Sequence, residues 1–484
     1  MSQGRTDGLL PFQSIPGPRR LSLLDIVATQ TRLDRDPIGT MLKWRTDYGD
    51  VVRLESRFGS QVFAFAPAYN RVIHTEIDRF ISRPFVLPGP PGSAQTQLRQ
   101  SIFNVNGRPH RELRHQLLPP FQRSAMPGHL AEIAGLIHDV TGDWRPGQQR
   151  DLHRDMHRLV WSVVRKLLYG LPDSVASDEL YHGMEDWMFD TFSPWVRSFP
   201  FNLPFTPFRR MLRKAERLRE QFLAIIRNRR ANDRGAGDAL SALIRFRPDG
   251  AALPDEILAG HAMTLFLVAY ETTGNTLTWA IFLLAQHPEV QHALLDELAP
   301  FRGDLPIFDD LDALPLLDRV LKETTRLMPA VPYSRRLTVE DGPFGPYFLP
   351  KRTRVIFSHY VTHHMPEIYP EPQAFRPERW ETIRPTPAEF MPFGAGKRTC
   401  LGTALAQCVI KTALALILPA WRVGVVPHSH IDRRQGISLG PRNGLPVIVV
   451  PQDRRLEAAP ITGNVHEMVD LRTLSERPIV RRAA

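Results

Sequence analysis

The 484-residue chain has little cysteine: only Cys400 and Cys408 occur. Two cysteines do not make the disulfide framework of a small secreted protein, and so few thiols fit a reducing compartment. The first twenty residues, MSQGRTDGLLPFQSIPGPRR, also lack the apolar run of a signal peptide or a membrane anchor. We therefore expect a soluble, cytoplasmic protein.

The chain also lacks any single block of positive charge, although its formal net charge is +10. The basic residues are mostly arginines spread along the sequence, and no repeat of aromatic and basic residues accompanies them. We therefore expect no nucleic-acid binding. A dinucleotide fingerprint is missing as well, so a nicotinamide or flavin domain is not predicted.

No internal repeat or low-complexity linker divides the chain. Strand patterns occur at 50–66, 347–358 and 445–450, and most of the sequence between them has helical periodicity. The clearest helix runs from about Pro254 to His287 and is apolar almost all round, which predicts a helix buried through the centre. The fold class expected is mainly α with small β-sheets.

Residues 392 to 402, PFGAGKRTCLG, combine glycines with a lysine and a cysteine. A phosphate loop needs a glycine five residues before Gly396 and a Ser or Thr after Lys397, but Met391 and Arg398 stand there. A thiolate site accounts for more of the residues. Glycines permit a tight turn, and the N-terminus of the helix that follows favours an anion at Cys400.

The stretch FGAGKRTCLG, Phe393 to Gly402, resembles the haem-binding signature Phe-x-x-Gly-x-Arg-x-Cys-x-Gly of the cytochrome P450 family. The resemblance implies a triangular helical prism enclosing haem b, with Cys400 as the axial thiolate and Phe393 beside the sulfur. It implies that Arg398 pairs with a haem propionate and that Gly394 and Gly402 shape the cradle. A single domain over 16–451 is expected, preceded by an extension (1–15) and followed by an Arg-rich tail (452–484) that is partly extended or loosely packed.

Further segments resemble the family's haem-binding and structural residues. In GRPHRELRHQL, His110 and Arg114 lie four apart on one helical face and correspond to a propionate-binding pair. Arg336 and His363 correspond to two more residues near the propionates, with Arg335 and His364 as the alternatives in each case. In KETTR, Glu323 and Arg326 are either a solvated ion pair or, with Arg379, a buried structural network.

The central helix carries VAYETTGNT, in which Glu271 and Thr272 match the family's acid and alcohol pair. The resemblance implies a relay that delivers the protons needed to form water, while the structural alternative for Thr272 is a hydrogen bond to the preceding turn. Val268 and Ala269 replace the small residue and glycine usual at these positions. Val268 is expected to project over the haem and Ala269 to contact it.

The substrate region is expected to be apolar. Eight aromatic residues crowd residues 186 to 212, which resemble the family's lid, and flanking arginines allow peripheral contact with a membrane. The residues expected to line the pocket are Phe266, Val268, Ile437, Ser438 and Leu439, with a further contact segment at 85–98. We expect a large apolar substrate, such as a fatty acid, terpenoid or polyketide.

The activity implied is a monooxygenase that takes electrons from a separate ferredoxin or flavodoxin with its reductase, docked on basic residues. The alternatives are a haem-thiolate peroxygenase or isomerase without redox partners and, further off, a haem-binding sensor. His153 and His157 have metal-compatible spacing, but no partner ligand is evident beside them, so a metal site is not predicted there.

Overall fold

The structure is a computed structural model, and it describes residues 8–18, 23–56, 59–84, 86–232, 237–301 and 307–471. The expected fold class is confirmed, since helices dominate and the sheets are small. The α-helices are α1 (Leu23–Arg35), α2 (Pro37–Tyr48), α3 (Pro67–Thr75), α4 (Ala94–Leu98), α5 (Gly107–Leu117), α6 (Met126–Gly142), α7 (Leu152–Val163), α8 (Val175–Thr191), α9 (Pro194–Ser198), α10 (Pro207–Ala231), α11 (Ala239–Arg245), α12 (Asp255–Ala285), α13 (Pro288–Glu297), α14 (Phe308–Ala313), α15 (Pro315–Leu327), α16 (His359–His363) and α17 (Thr403–Ala420).

The strands form four small sheets. They are β1 (Val51–Ser56), β2 (Gly59–Ala64), β3 (Phe80–Ile81), β4 (Gln148–Asp151), β5 (Ser334–Thr338), β6 (Gly342–Phe344), β7 (Tyr347–Leu349), β8 (Arg354–Phe357), β9 (Trp421–Val425), β10 (Arg433–Gln435), β11 (Leu439–Pro441) and β12 (Pro446–Pro451). The largest sheet has the order β1-β2-β8-β5-β3, and the second has the order β4-β12-β9. β6 pairs with β7 and β10 with β11. The three predicted strand regions therefore all contain strands.

Helix α12 is the axis of the molecule, as its sequence predicts. Asp255 and Glu256 occupy its first turn, where carboxylates interact favourably with the helix dipole. Its 31 residues span about 46 Å at 1.5 Å each. It contacts α4, α7, α10, α15 and α17, and most of its side chains are buried. A helix enclosed on all sides must be apolar on all sides, which explains its composition.

Both ends of the chain are more closely packed than expected, as far as the structure describes them. In the predicted extension, Phe12 and Ile15 are buried in a cluster with the large sheet, and Leu10 forms a bridge to Tyr347. In the predicted tail, Val465 and Met468 belong to the main core. Residues 452–471 contain little regular secondary structure, and buried apolar side chains anchor part of this segment to the core. Residues 1–7 and 472–484 lie outside the described residues.

Candidate active site

The loop before α17 is folded tightly around the backbone of Cys400. The Cys400 amide donates to the carbonyl of Phe393 at 2.7 Å. Gly394 and Gly396 have φ of 71° and 64°, a left-handed conformation that glycine adopts without strain. A Cβ on Gly396 would also lie 2.8 Å from the carbonyl oxygen of His74. The glycines that the sequence shares with a phosphate loop are thus required by this turn.

Cys400 has exposed surface, although protein groups surround it on all sides. Both are expected of a side chain on the wall of an internal cavity. Burial raises the pKa of its thiol, while the Gly402 N–H, the Thr403 hydroxyl and the charge of Arg114 act in the opposite direction. Burial outweighs them, so the sulfur becomes a thiolate only when a strong cation binds it. A Cβ on Gly402 would lie 4.0 Å from the sulfur, which leaves that side of it uncrowded.

Three arginines near Cys400 have no carboxylate partner. Arg398 donates to the carbonyl of Val105 and to Oδ1 of Asn106, both at 2.7 Å. Burial, and then the charge of a neighbouring arginine, lowers the pKa of Arg336 and of Arg398 to about 10. Within the described part of the chain, none of Arg114, Arg336 and Arg398 forms an ion pair. A cluster of buried, uncompensated cations fits a ligand with two carboxylates.

Arg335 and Arg336 differ in exposure and contacts. In β5 the side chain of Arg335 is exposed, whereas Arg336 is half-buried and lies over the ring of Phe357, 5.3 Å from its centroid. Successive residues of a strand point to opposite faces, so only one of the two can join the cluster. The charge of Arg398 contributes to the lowered pKa of Arg336, which places the two together.

Three histidines adjoin the arginine cluster. His110 is buried, and burial followed by the charges of Arg398 and Arg114 lowers its pKa to about 4. The pKa of His74 falls to about 4 through burial and then the charge of Arg336. For His359 burial, His74 and Arg336 lower the pKa to about 3. Sequence analysis missed His74 and His359.

His363 has contacts different from those predicted. Its Nε2 accepts a hydrogen bond from the Met391 amide at 3.0 Å, and its carbonyl accepts one from Arg326. Burial is the largest cause that lowers the pKa of His363. The charges of His359 and His364 lower it further, whereas Arg336 is not among the causes. The assignment of His363 to the arginine cluster is therefore corrected: it braces the cysteine loop, and His359 is the histidine beside Arg336. The alternative, His364, stacks on Tyr360 instead.

The predicted network of Glu323, Arg326 and Arg379 is present and fully buried. Arg326 donates to both oxygens of Glu323 at 2.9 and 2.8 Å, and Arg379 donates to Oε1 at 2.9 Å. Trp380 donates to Oε2 at 2.9 Å. Burial opposes ionisation of Glu323, but the charges of the arginines outweigh it and lower the pKa. The network joins α15 to the segment that precedes the cysteine loop.

Glu271 and Thr272 are adjacent in α12 but have different partners. The Thr272 hydroxyl donates to the carbonyl of Val268 at 2.8 Å, which is the structural alternative considered above. Ser438 donates to Oε1 of Glu271 at 3.3 Å, and Nδ1 of His157 lies 3.9 Å from Oε2. Burial raises the pKa of Glu271, against the opposing effects of His153 and Ser438.

The contact between Glu271 and α7 was not predicted. Nε2 of His153 and Nε2 of His157 lie 2.9 and 3.0 Å from Oδ1 of Asn275, and the Asn275 amide donates to Ser438. The residues of this polar cluster are far apart in the sequence, so no local pattern reveals it. Among the described residues, no group of three or more His, Cys, Asp or Glu is arranged to hold a metal ion.

The residues predicted to line the substrate pocket differ in burial. Val268 and Ala269 are half-buried, as is Ile437. Phe266 is fully buried and packs on Trp161 and Tyr169, with centroids 4.5 and 4.6 Å away. The prediction for Phe266 is therefore wrong: two residues of helix separate it from Val268 by about 200°, on the opposite face.

Ser438 and Leu439 are also enclosed rather than open. Ser438 binds Glu271 and Asn275, while the backbone of Leu439 bonds to Ala330 and to the Trp279 indole. Leu439 has no exposed surface. Of the three residues predicted in this turn, only Ile437 therefore remains available to a pocket. A small pocket does lie beside α12, lined by Met263, Thr264 and Leu267 together with Trp187.

The aromatic segment predicted as a lid has both buried and exposed members. Trp187 and Phe208 are buried, and Trp187 donates to Gln95 at 2.9 Å. Five others are exposed, and Phe205 is fully so. We call these five the lid surface: Phe189, Trp195, Phe199, Phe201 and Phe205.

Apolar length alone would allow one described helix, α17, to cross a membrane. It is a helix of the core, because 61% of it is buried within the protein. Cys408, on this helix, is buried and free, as predicted.

Residues 15–445 match the family model of cytochrome P450. The chain is a member of this family. The match and the fold establish a cytochrome P450 monooxygenase that uses haem b. The accessible cysteine, the three uncompensated arginines and the open side at Gly402 are all consistent with such a cofactor.

Individual relatives agree with this assignment. Over 370 residues the chain is 32% identical to cyclooctat-9-en-7-ol 5-monooxygenase of Streptomyces melanosporofaciens, covering 73% of this chain and 80% of the relative. It is 27% identical to abscisic acid 8'-hydroxylase 1 of Arabidopsis thaliana, covering 75% and 76%. The solved structure titled retinoic acid bound cyanobacterial CYP120A1 superposes with a TM-score of 0.79 at 23% identity, covering 92% of this cytochrome P450 and 100% of that chain.

Proposed function

We propose that Cys400 is the axial haem ligand and that Arg114, Arg336 and Arg398 bind the propionates. The loop geometry supports the first assignment, and the absence of carboxylate partners for these arginines in the described chain supports the second. Haem held by a thiolate supplies the activation of dioxygen, and the protein supplies binding, orientation and protons. His74, His110 and His359, held neutral by burial, would complete the polar rim.

We further propose that Glu271 and Thr272 deliver protons to the pocket. Glu271 is the source because burial favours its protonated form. The half-buried Thr272 side chain points about 100° away from Glu271 around the helix. Either a water molecule or a rotation of the Glu271 side chain must therefore carry the proton between them. Ser438, Asn275 and the two histidines of α7 would hold Glu271 in position between proton transfers.

The substrate we propose is a large apolar molecule of the terpenoid class, hydroxylated or epoxidised at one carbon. The observation that carries this proposal is the mostly apolar lining formed by Met263, Leu267 and Trp187 beside the turns of α12 that precede Thr272. The Streptomyces relative named cyclooctat-9-en-7-ol 5-monooxygenase supports the same class.

The test is to incubate the haem-loaded protein with a ferredoxin, its reductase, NADPH and a panel of terpenoids under isotopically labelled dioxygen. We expect a product that carries one labelled oxygen atom, with the other in water. Turnover of fatty acids or macrolides with no turnover of any terpenoid would contradict the proposed class.

We propose a ferredoxin or flavodoxin as the electron donor and the cytoplasm as the location. Exposed Arg111 and Lys397 flank the cysteine loop and would attract an acidic partner. Reduction should therefore slow as ionic strength rises, and a rate that is independent of salt would argue against this docking face.

The lid surface, with the exposed Arg209 beside it, is suited to peripheral contact with an anionic membrane. Vesicles containing anionic lipid should sediment the wild type more than a Phe201→Ser, Phe205→Ser variant. Equal sedimentation of the two proteins would count against this contact.

A further inference from the structure

The pocket along α12 contains a cation that the proposed reaction does not use. Its wall is mostly apolar, with Leu98, Met263 and Leu267 on one side and Trp187 on another, but Arg99 also lines it. Arg99 directly follows α4 and precedes a turn that is closed by a hydrogen bond from the Asn104 side chain to the Arg99 carbonyl. The backbone at Arg99 is therefore fixed beside the pocket.

The Arg99 guanidinium has no partner in the described chain. Its Nε is buried and makes no hydrogen bond, and none of its nitrogens lies within 4 Å of a described carboxylate. Burial lowers the pKa of Arg99, and the other cause is a second cation, Arg83. By contrast, Arg326, which has a structural role, donates hydrogen bonds to several acceptors in this protein. A partly desolvated arginine without an acceptor costs free energy unless a ligand supplies one.

The pocket that Arg99 lines lies about two turns of α12 before Thr272. Thr264, which also lines it, is eight residues before Thr272, which corresponds to about 12 Å along the helix axis and about 80° around it. A substrate that extends from this pocket to the level of Thr272 would therefore span about 12 Å along the helix.

We propose that Arg99 binds the carboxylate of the substrate, so that the substrate is an apolar acid anchored at one end. A guanidinium and a carboxylate match in a bidentate pair, and the apolar wall accommodates the rest of the molecule. Arg83 is exposed and is not among the residues that line the pocket. This inference rests on the proposed function, because it specifies the substrate of that site.

The test is an equilibrium titration of the haem-loaded, full-length protein, followed by the spin-state change of the Soret band and repeated by calorimetry. The probes are isoprenoid acids of ten to twenty carbons, each compared with its methyl ester and its alcohol, and inorganic phosphate. We expect at least one acid to bind about tenfold more tightly than its ester, because a charge-assisted pair to arginine is lost in the ester. Phosphate alone should not compete.

The variant Arg99→Gln should lose this preference while its affinity for the ester stays within about twofold, and Arg99→Lys should retain part of it. The matched control is Arg83→Gln, which removes the same charge outside the pocket and should keep the preference. Equal binding of acid and ester to the wild type, the same preference in Arg99→Gln, or no binding of any acid would overturn the inference. The carbon monoxide complexes of the wild type and of Arg99→Gln are compared in the same experiment. If both show the thiolate-type spectrum, any of these three outcomes overturns only the role of Arg99 and leaves the proposed monooxygenase site intact.

Discussion

At the scale of single residues, neighbouring side chains in α12 have separate tasks. Glu271 points to Ser438 and the histidines of α7, whereas the Thr272 hydroxyl bonds back to Val268. Two consecutive helical residues point about 100° apart, so an acid and an alcohol in sequence reach different surroundings. Burial raises the pKa of the acid, and the half-buried alcohol bonds to the backbone of its own helix.

Replacing Thr272 by Ala should uncouple electron consumption from product formation. The hydroxyl is the last proton-carrying group proposed before the pocket, and general acid catalysis by one group contributes a factor of about 10² to 10⁴. We expect product per NADPH to fall several-fold, peroxide to rise, and Thr272→Ser to restore much of the coupling.

The control is Thr278→Ala, which removes the same kind of bond, a hydroxyl donating to the carbonyl of Gly274 at 2.8 Å, from a fully buried position. Its coupling should resemble that of the wild type. Equal coupling in Thr272→Ala and the wild type would remove Thr272 from the relay.

At the scale of elements, helices α15 and α16, which precede the cysteine loop in the chain, hold the segment that leads into it. The buried Glu323 network ties α15 to residues 370–380, and His363 in α16 holds the amide of Met391. The shape of the loop is therefore set by α15 and α16 as well as by its own glycines.

Replacing Glu323 by Gln should destabilise the protein by about 3–5 kcal/mol, because it leaves Arg326 and Arg379 buried without a counter-charge. Urea denaturation of the haem-loaded protein measures this. Since the folded pKa of Glu323 is below its ordinary 4.5, the stabilisation is present above that pH and is lost as pH falls through the folded pKa.

The matched control is Asp47→Asn at the exposed Lys43–Asp47 pair, which should cost less than about 1 kcal/mol. Equal effects of the two substitutions would show that the network contributes little to stability.

The sequence predicted some elements better than others, and the reasons are physical. Composition was enough to predict the buried position of α12, because an enclosed helix must be apolar all round. Helical periodicity alone would have shown that Phe266 and Val268 lie on opposite faces of this helix. His359 and His363 lie four apart in α16, and only the packing of that helix decides which of them meets Arg336. The cluster of Glu271 with His157 and Ser438 joins segments more than 100 residues apart, which no local pattern encodes.

At the scale of the whole molecule, buried histidines make stability depend on pH. Burial is the first cause that lowers the pKa of His153, His157 and His261 from 6.5 to about 4. Between pH 6.5 and about 4, these histidines therefore bind protons in the unfolded chain but stay neutral in the folded chain. Stability is present above pH 6.5 and falls as pH decreases towards 4. Glu271 and Glu185, whose pKa values burial raises, act in the opposite direction, but the histidines with lowered pKa values outnumber them.

We expect the urea midpoint of the haem-loaded protein to fall between pH 7 and pH 5, and the fall to be shallower in His261→Gln. His261 is chosen because burial alone shifts its pKa. A midpoint that is constant over this range would contradict the buried, neutral state of these histidines.

The central claim, that Cys400 binds haem as a thiolate, is tested most directly by the absorption spectrum of the reduced, carbon monoxide-bound protein. We predict the red-shifted Soret band of thiolate ligation in the wild type, and its loss in Cys400→Ser with the band kept in Cys408→Ser. A wild-type spectrum without the shifted band, or a shifted band that persists in Cys400→Ser, would contradict the account.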